Sequence, residues 1–260
     1  MEIEKEGIEQ FVPVRRGENL PGDLKGMVEG WIYDKWSYNT LHVVSEEQPR
    51  YIPKDPWASE AFMTIFGFKG MDHMLEHWDN VVAGKIDLNN FGGHSTCESF
   101  WDTHLVRVPP TESHRKVSFF QMHAPYNLEG GWEARGPEVR EAMLSKWAQA
   151  APNMKRENIV MFNQETPEDI EIRFPNMRYG SIKHGDYRPI QLGCFRPNQE
   201  CSSSKTPIQG LYTGGASNYP GGMILGGPGY IAANRVAEDM GVKKWWKPTK
   251  EMDKYTKTYL

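Results

Sequence analysis

The chain has 260 residues, with 30 Lys and Arg against 34 Asp and Glu, so its formal net charge is −4 and provides no basic field for a nucleic-acid partner. Its mean hydropathy is −0.65 and no apolar run reaches the roughly 20 residues of a membrane-spanning helix, so we expect no transmembrane segment. The first residues lack a secretory signal, and the three cysteines form no CxxC pair. We therefore expect a cytoplasmic location, with peripheral attachment to a membrane left open.

The pattern of apolar residues predicts a mixed α/β (α+β) chain. Residues 1–34 show no sustained period and are expected to form an N-terminal arm. Helical spacing predicts helices between Gly70 and Gly84 and over 139–150. We expect residues 35–200 to form a domain with an antiparallel-leaning mixed sheet and helices on one side. β-Branched and apolar runs predict its strands at residues 39–45, 104–108, 116–123, 159–162 and 170–174.

Residues 201–241 are predicted to form a strand, a glycine loop and a helix, in that order. LYTGG, from Leu211, predicts the strand, and five glycines lie among the nine residues of 221–229. A helix is predicted after them, with Pro228 in its first turn and Gly241 past its end. Glycines let backbone N–H groups approach a ligand, and the positive end of a helix dipole favours an electron-rich or anionic group there. From spacing alone, a turn without a ligand remains an open alternative.

The last segment, 242–260, is a basic and aromatic tail. It holds six Lys against one Glu and one Asp, interleaved with Trp and Tyr. Docking on a neighbouring subunit and contact with RNA or an anionic surface both stay open for it.

The run TPIQGLYTGGASNYPGGMILGGPGYIAANRV, Thr206–Val236, resembles the C-terminal flavin-binding signature of phytoene-desaturase-like oxidoreductases of the carotenoid and retinol saturase type. These belong to the wider FAD-dependent amine-oxidase superfamily. Segments at 114–132 and 166–186, and the pair Arg196 and Pro197, are similar to that family in the same order. The resemblance implies that 35–200 is a substrate-binding domain and that 201–241 is the C-terminal part of an FAD-binding domain.

The resemblance also implies the cofactor, FAD, and the residues that contact it. The stretch from Gly214 to Ser217 is implied to pass the pyrophosphate and the ribityl chain, and the stretch from Gly222 to Gly229 to face the flavin ring. The expected cofactor-binding residues are Gly214, Gly215, Ala216, Ser217, Gly221, Gly222, Met223, Ile224, Pro228 and Gly229.

One part of the family pattern is missing from this sequence. Full members bind the ADP part of FAD through a strand, a GxGxxG turn and a helix, and these 260 residues contain no such segment. We therefore expect a second polypeptide to supply that half and to complete a Rossmann-like domain in a heteromer; a truncated remnant is the alternative. The implied function is hydride transfer from a hydrophobic isoprenoid or terpene-like substrate to flavin N5, in a dehydrogenase, desaturase or isomerase. Oxygen, a quinone or an electron-transfer protein would accept the electrons.

Candidates for catalysis lie just before the glycine loop. Arg196 is a candidate for stabilising negative charge on reduced flavin, and His184 with Asp186 for relaying a proton; a structural role stays open for each. Phe119, Phe120 and Met122 are expected in the core, although one face of their strand is a candidate tunnel wall.

Two other functions stay open. One is a non-catalytic subunit that stabilises a flavoprotein. The other is a zinc hydrolase, because His73, Glu76 and His77 fit the HxxEH pattern on a predicted helix.

Overall fold

A computed structural model describes residues 29–52, 56–107, 109–222 and 226–243, together with 26, 249–251 and 254. They form two compact units. The sheet unit comprises Tyr33–Gly185, and the loop unit combines the described residues up to Ile32 with those from Asp186 onward. Most of the predicted N-terminal arm, much of the basic tail, and the predicted flavin contacts Met223 and Ile224 lie outside the described residues.

The sheet unit contains a five-stranded sheet in the order β2-β3-β4-β1-β5, and every neighbouring pair is antiparallel. The predicted combination of helices with an antiparallel-leaning sheet is confirmed, and the described sheet contains no parallel pair. Strands predicted at 39–45, 116–123 and 159–162 are confirmed. The five strands are β1 Trp36–Ser45, β2 Thr64–Phe66, β3 Gly93–Thr96, β4 Lys116–Pro125 and β5 Ile159–Glu165.

The two helices predicted in the sheet unit, between Gly70 and Gly84 and over 139–150, are both present in the structure. The second begins seven residues earlier than the apolar spacing indicates, at Trp132 rather than Val139. Single 3₁₀ turns occupy Thr103–Leu105, Pro110–Glu112, Arg156–Asn158, Arg178–Gly180, Pro189–Gln191 and Gly193–Phe195. None of the described helices combines the length and apolar character needed to cross a bilayer. The α-helices are α1 Pro56–Glu60, α2 Met71–Val82, α3 Glu98–Trp101, α4 Trp132–Ala150, α5 Pro167–Arg173 and α6 Gly227–Asp239.

The core of the sheet unit lies between one face of the sheet and α4. Side chains alternate between the two faces of a strand, so Leu41 of β1 shares a face with its partner Phe120 of β4. Both are fully buried, and the Phe120 ring lies 5.8 Å from that of Trp147 in α4. Burying an apolar side chain of this size stabilises the fold by about 1.5–3 kcal/mol. The predicted core positions Phe120 and Met122 are confirmed, whereas Phe119 points to the opposite face.

The helices do not all pack on one side of the sheet as predicted. Trp78 of α2 contacts Trp36, with ring centroids 4.9 Å apart, and Trp36 lies on the face opposite the core. The described part of the chain therefore has helical residues on both faces.

Three predicted strands are wrong for local reasons. Residues 103–105 form a 3₁₀ turn, because the Asp102 carboxylate accepts the N–H of His104 at 3.0 Å. Of the segment 170–174, the first four residues belong to α5 and Phe174 is its C-cap; the start of this helix is set by a capping box between Thr166 and Asp169 and by a proline at its first position.

The strand predicted at Leu211 is also absent from the described residues. Only an isolated bridge joins Lys205 to Tyr212. The backbone of this region bonds within its own loop, where the N–H of Thr213 donates to the carbonyl of Ser204 at 2.9 Å. Glycines follow at once, and they do not favour extension of a strand.

Candidate functional site

The start of α6 in the loop unit has the character of a ligand site. The helix follows Gly226, whose φ of 63° is left-handed, and it has neither a side-chain cap nor an acidic residue in its first turn. The first-turn N–H groups of any helix lack acceptors within the helix and carry the positive end of its dipole. This end of α6 therefore suits an electron-rich or anionic group.

The glycines of this region divide into two sets. At Gly221, where φ is 115°, a Cβ atom would lie 2.7 Å from Oη of Tyr187, and at Gly227 it would lie 2.8 Å from Cγ of Pro220. Internal packing therefore requires these two glycines. At Gly229 a Cβ atom would meet no described atom within 4 Å, and its φ lies outside the left-handed region. No contact with the described residues explains Gly229, so its open side fits the approach of a ligand.

The segment from Gly214 to Ser217 is held from one side by Arg196. The guanidinium is completely buried, and its Nε and Nη2 atoms donate to the carbonyl oxygen of Ala216 at 2.9 and 2.8 Å. It is flanked by the rings of Trp31 and Tyr187, whose centroids lie 5.1 and 4.7 Å from Cζ. Arg196 thus lies against the segment implied to pass the pyrophosphate, and its catalytic role stays a prediction.

Two further residues shape this region, and no pattern in the sequence singled them out. Tyr187 accepts the N–H of Gly222 through its Oη atom at 2.9 Å. The side chain of Gln191 binds both main-chain groups of Ile32, accepting its N–H at 2.7 Å and donating to its carbonyl at 3.0 Å. Both lie in sequence between the catalytic candidates His184 and Arg196, but only their contacts in the structure reveal what they do.

The predicted relay residues His184 and Asp186 fall on opposite sides of the division between the units. The Asp186 carboxylate pairs with Nε of Arg188 at 2.5 Å. His184 has a φ of 52°, an uncommon conformation for a residue other than glycine. A relay between them stays a prediction.

The sheet unit carries a second candidate surface, the aromatic face, on the side of the sheet opposite the core. It is built from cross-strand pairs: Tyr38 lies opposite His123, and His42 lies opposite Phe119. The Tyr38 and His123 rings are 4.8 Å apart. All members are half-buried, so each presents part of its ring to the outside. The aromatic face comprises Trp36, Tyr38, His42, His94, Phe119 and His123.

Burial keeps the centre of the aromatic face uncharged at neutral pH. It lowers the pKa of His123 to about 4, and the nearby His77, His94 and Lys183 act in the same direction. Burial also lowers the pKa of His94 and raises that of Tyr38. Uncharged, ring-rich surfaces of this kind fit an apolar, unsaturated ligand.

A cation lies at the edge of the aromatic face. The Nζ atom of Lys183 lies 4.2 Å from the centre of the Trp36 ring and 2.9 Å from Oδ1 of the buried Asp34. The Asp34 carboxylate compensates the positive charge of Lys183, so this charge does not extend over the rest of the aromatic face.

The HxxEH pattern on α2 finds no support as a metal site. Glu76 accepts a hydrogen bond from Nδ2 of Asn90 at 2.6 Å, and His77 is 3% exposed and packs against Phe68, with ring centroids 5.7 Å apart. Within the described ranges, no group of three His, Cys, Asp or Glu side chains is placed to hold a metal ion.

Comparison with known proteins adds a second kind of observation. The sequence is 35% identical over 224 aligned residues to one of the subunits of limonene dehydrogenase from Castellaniella defragrans, covering 84% of this chain and 40% of that protein. It is 34% identical over 136 residues to pyridine nucleotide-disulfide oxidoreductase domain-containing protein 2 of Rattus norvegicus, covering 51% of this chain and 23% of that protein. The protein of the same name from Mus musculus is 34% identical over 127 residues. No protein-family model matches the sequence.

The chain spans at most two fifths of the length of these relatives, since it covers 40%, 23% and 22% of them. Their names describe longer proteins, and the alignment with the limonene dehydrogenase subunit extends over most of this chain.

Proposed function

We propose that this chain is the substrate-binding and flavin-covering part of an FAD-dependent oxidoreductase of the phytoene-desaturase-like type. The observation that carries the proposal is the start of α6, which has no side-chain cap among the described residues and where a Cβ atom at Gly229 would meet no described atom within 4 Å. The similarity to a limonene dehydrogenase subunit and to proteins named as oxidoreductases supports the same class of reaction.

The residues of the loop unit fit the cofactor. The first-turn N–H groups of α6 would stabilise an electron-rich edge of the flavin, and the open side of Gly229 would let the backbone approach it. The stretch from Gly214 to Ser217 would pass the diphosphate. When bound, FAD supplies the hydride acceptor at its N5 atom.

The aromatic face would bind the substrate, which we propose is an unsaturated, terpene-like molecule. Its half-buried rings offer apolar and π contacts, and burial lowers the pKa values of His94 and His123 at its centre, so covering these two rings with a hydrocarbon desolvates no charge at neutral pH. The limonene dehydrogenase subunit is named for a substrate of this class.

Polypeptide outside these 260 residues would bind the ADP part of FAD. The sequence contains no GxGxxG turn, and the limonene dehydrogenase protein that it resembles is named as one subunit of its enzyme. We propose a partner subunit that carries this turn and completes a Rossmann-like domain.

The test is isolation of the chain in its native state with whatever polypeptide copurifies. We expect a yellow complex with a flavin spectrum, equimolar FAD, a GxGxxG sequence in the second polypeptide, and bleaching of the flavin by a terpene substrate without oxygen. A stable complex without flavin would refute the proposal. A complex that keeps full flavin content and turnover after Gly229→Val would instead identify this chain as a non-catalytic, stabilising subunit.

A further inference from the structure

A hydrogen bond to either the C=O or the N–H of a peptide group fixes the direction in which the other group points. In a trans peptide the C=O bond and the following N–H bond are fixed in one plane and point in opposite directions. Arg196 holds the carbonyl oxygen of Ala216 with two donors, so this oxygen points inward to the guanidinium. The N–H of Ser217 must then point away from Arg196, and it donates to no acceptor among the described residues.

The same reasoning applies to the second part of the glycine loop, but here the N–H is held and the carbonyl is presented. Tyr187 holds the N–H of Gly222, so this N–H points inward and the carbonyl of Gly221 points away from the tyrosine. Tyr187 and Arg196 also contact each other, with Cζ of the arginine 4.7 Å from the centre of the tyrosine ring. The buried Arg196 and the half-buried Tyr187 therefore orient two peptide groups that are five residues apart in sequence.

We propose that Arg196 and Tyr187 form a positioning clamp, which presents the Ser217 N–H as a donor for the FAD diphosphate and the Gly221 carbonyl as an acceptor for the flavin end. This inference rests on the proposed function. It makes Arg196 a residue that acts through the Ala216 peptide rather than by touching the reacting atoms. Its buried positive charge also favours a diphosphate beside the loop.

A guanidinium suits this task better than an ammonium group. Its planar fork directs two donors, Nε and Nη2, at one carbonyl oxygen, whereas a lysine supplies a point charge that does not fix the orientation of the carbonyl. Arg196→Lys therefore keeps the charge and loses the orientation. Tyr187→Phe keeps the ring beside Arg196 and removes the hydroxyl that accepts the Gly222 N–H.

The experiment measures the affinities of FAD and of riboflavin, which lacks the diphosphate, for the complex of this chain with its partner. For Arg196→Lys we expect FAD binding to weaken tenfold or more while riboflavin binding changes less than about twofold. For Tyr187→Phe we expect both ligands to weaken by a similar factor, roughly tenfold, because the altered peptide faces the flavin end. Tyr212→Phe, which removes a hydroxyl bonded to Asp239 in the same unit, is the matched control and should change neither affinity.

The outcomes separate the clamp from the function that it presupposes. A wild-type complex with no affinity for FAD overturns the proposed function. A wild-type complex that binds FAD, with equal losses for both ligands in Arg196→Lys or with no loss in either variant, overturns the clamp alone. If Arg196→Lys does not fold, Tyr187→Phe still decides, because unchanged flavin affinity in that variant refutes the inference.

Discussion

Replacing Gly229 by alanine is expected to stabilise the free chain and to weaken flavin binding. Gly229 is the third residue of α6, its φ is outside the left-handed region, and a Cβ atom there meets no described atom within 4 Å. Alanine is more favourable than glycine within a helix by about 0.5–1 kcal/mol. The melting temperature should therefore rise by about 1–4 °C.

The effect on the cofactor has the opposite sign. If the flavin packs against this open side, the added methyl group occupies its space, and overpacking of a tight contact costs about 1–3 kcal/mol. That corresponds to a loss of roughly five- to 150-fold in affinity. Glycine at this position would then favour binding of the flavin and lower the stability of the helix.

Two assays and one control check this prediction. Thermal unfolding of the chain without cofactor measures the first effect, and titration of the complex with FAD measures the second. Ala233→Gly lies one turn later on the same helix and is exposed, so it should lower stability by a similar amount and leave FAD binding unchanged. An unchanged affinity of Gly229→Ala for FAD would show that the flavin does not approach α6 at this residue, and the reasoning would fail.

Three further predictions concern stability and pH. Gly221→Ala should lower the unfolding free energy by about 1–3 kcal/mol in a denaturant titration, because φ is 115° and the new Cβ would lie 2.7 Å from Oη of Tyr187; an unchanged midpoint would contradict this. Thr166→Ala should cost about 1 kcal/mol in the same assay, since it removes the side-chain acceptor for the Asp169 N–H, and Thr166→Ser should restore most of the loss. The pKa of His123 is about 4 in the folded chain and ordinarily 6.5, so between these values the unfolded chain binds the additional proton and stability should fall as the pH falls. His123→Gln should flatten this dependence in urea titrations from about pH 7 to 4, and an equally steep profile would disprove the assigned pKa.

The sequence alone determined those elements whose signals are local. Helical spacing placed α2, β-branched runs placed β1 and β4, and Pro228 and Gly241 bounded α6. The segment 170–174 was mistaken for a strand because its alternating apolar residues outweighed a local signal, the capping box that begins at Thr166. A short alternating run fits either a strand or one turn of a helix, and the cap decided between them.

The tertiary structure decided which face of each element serves which purpose. Alternation along β4 separates Phe119 from Phe120, but both are aromatic, so only the packing of α4 shows which one is in the core. The surroundings of Arg196 likewise come from residues up to 165 positions away, such as Trp31. Burial, hydrogen-bond partners and the lowered pKa of His123 depend on groups that the fold brings together, and spacing along one strand contains no information about them.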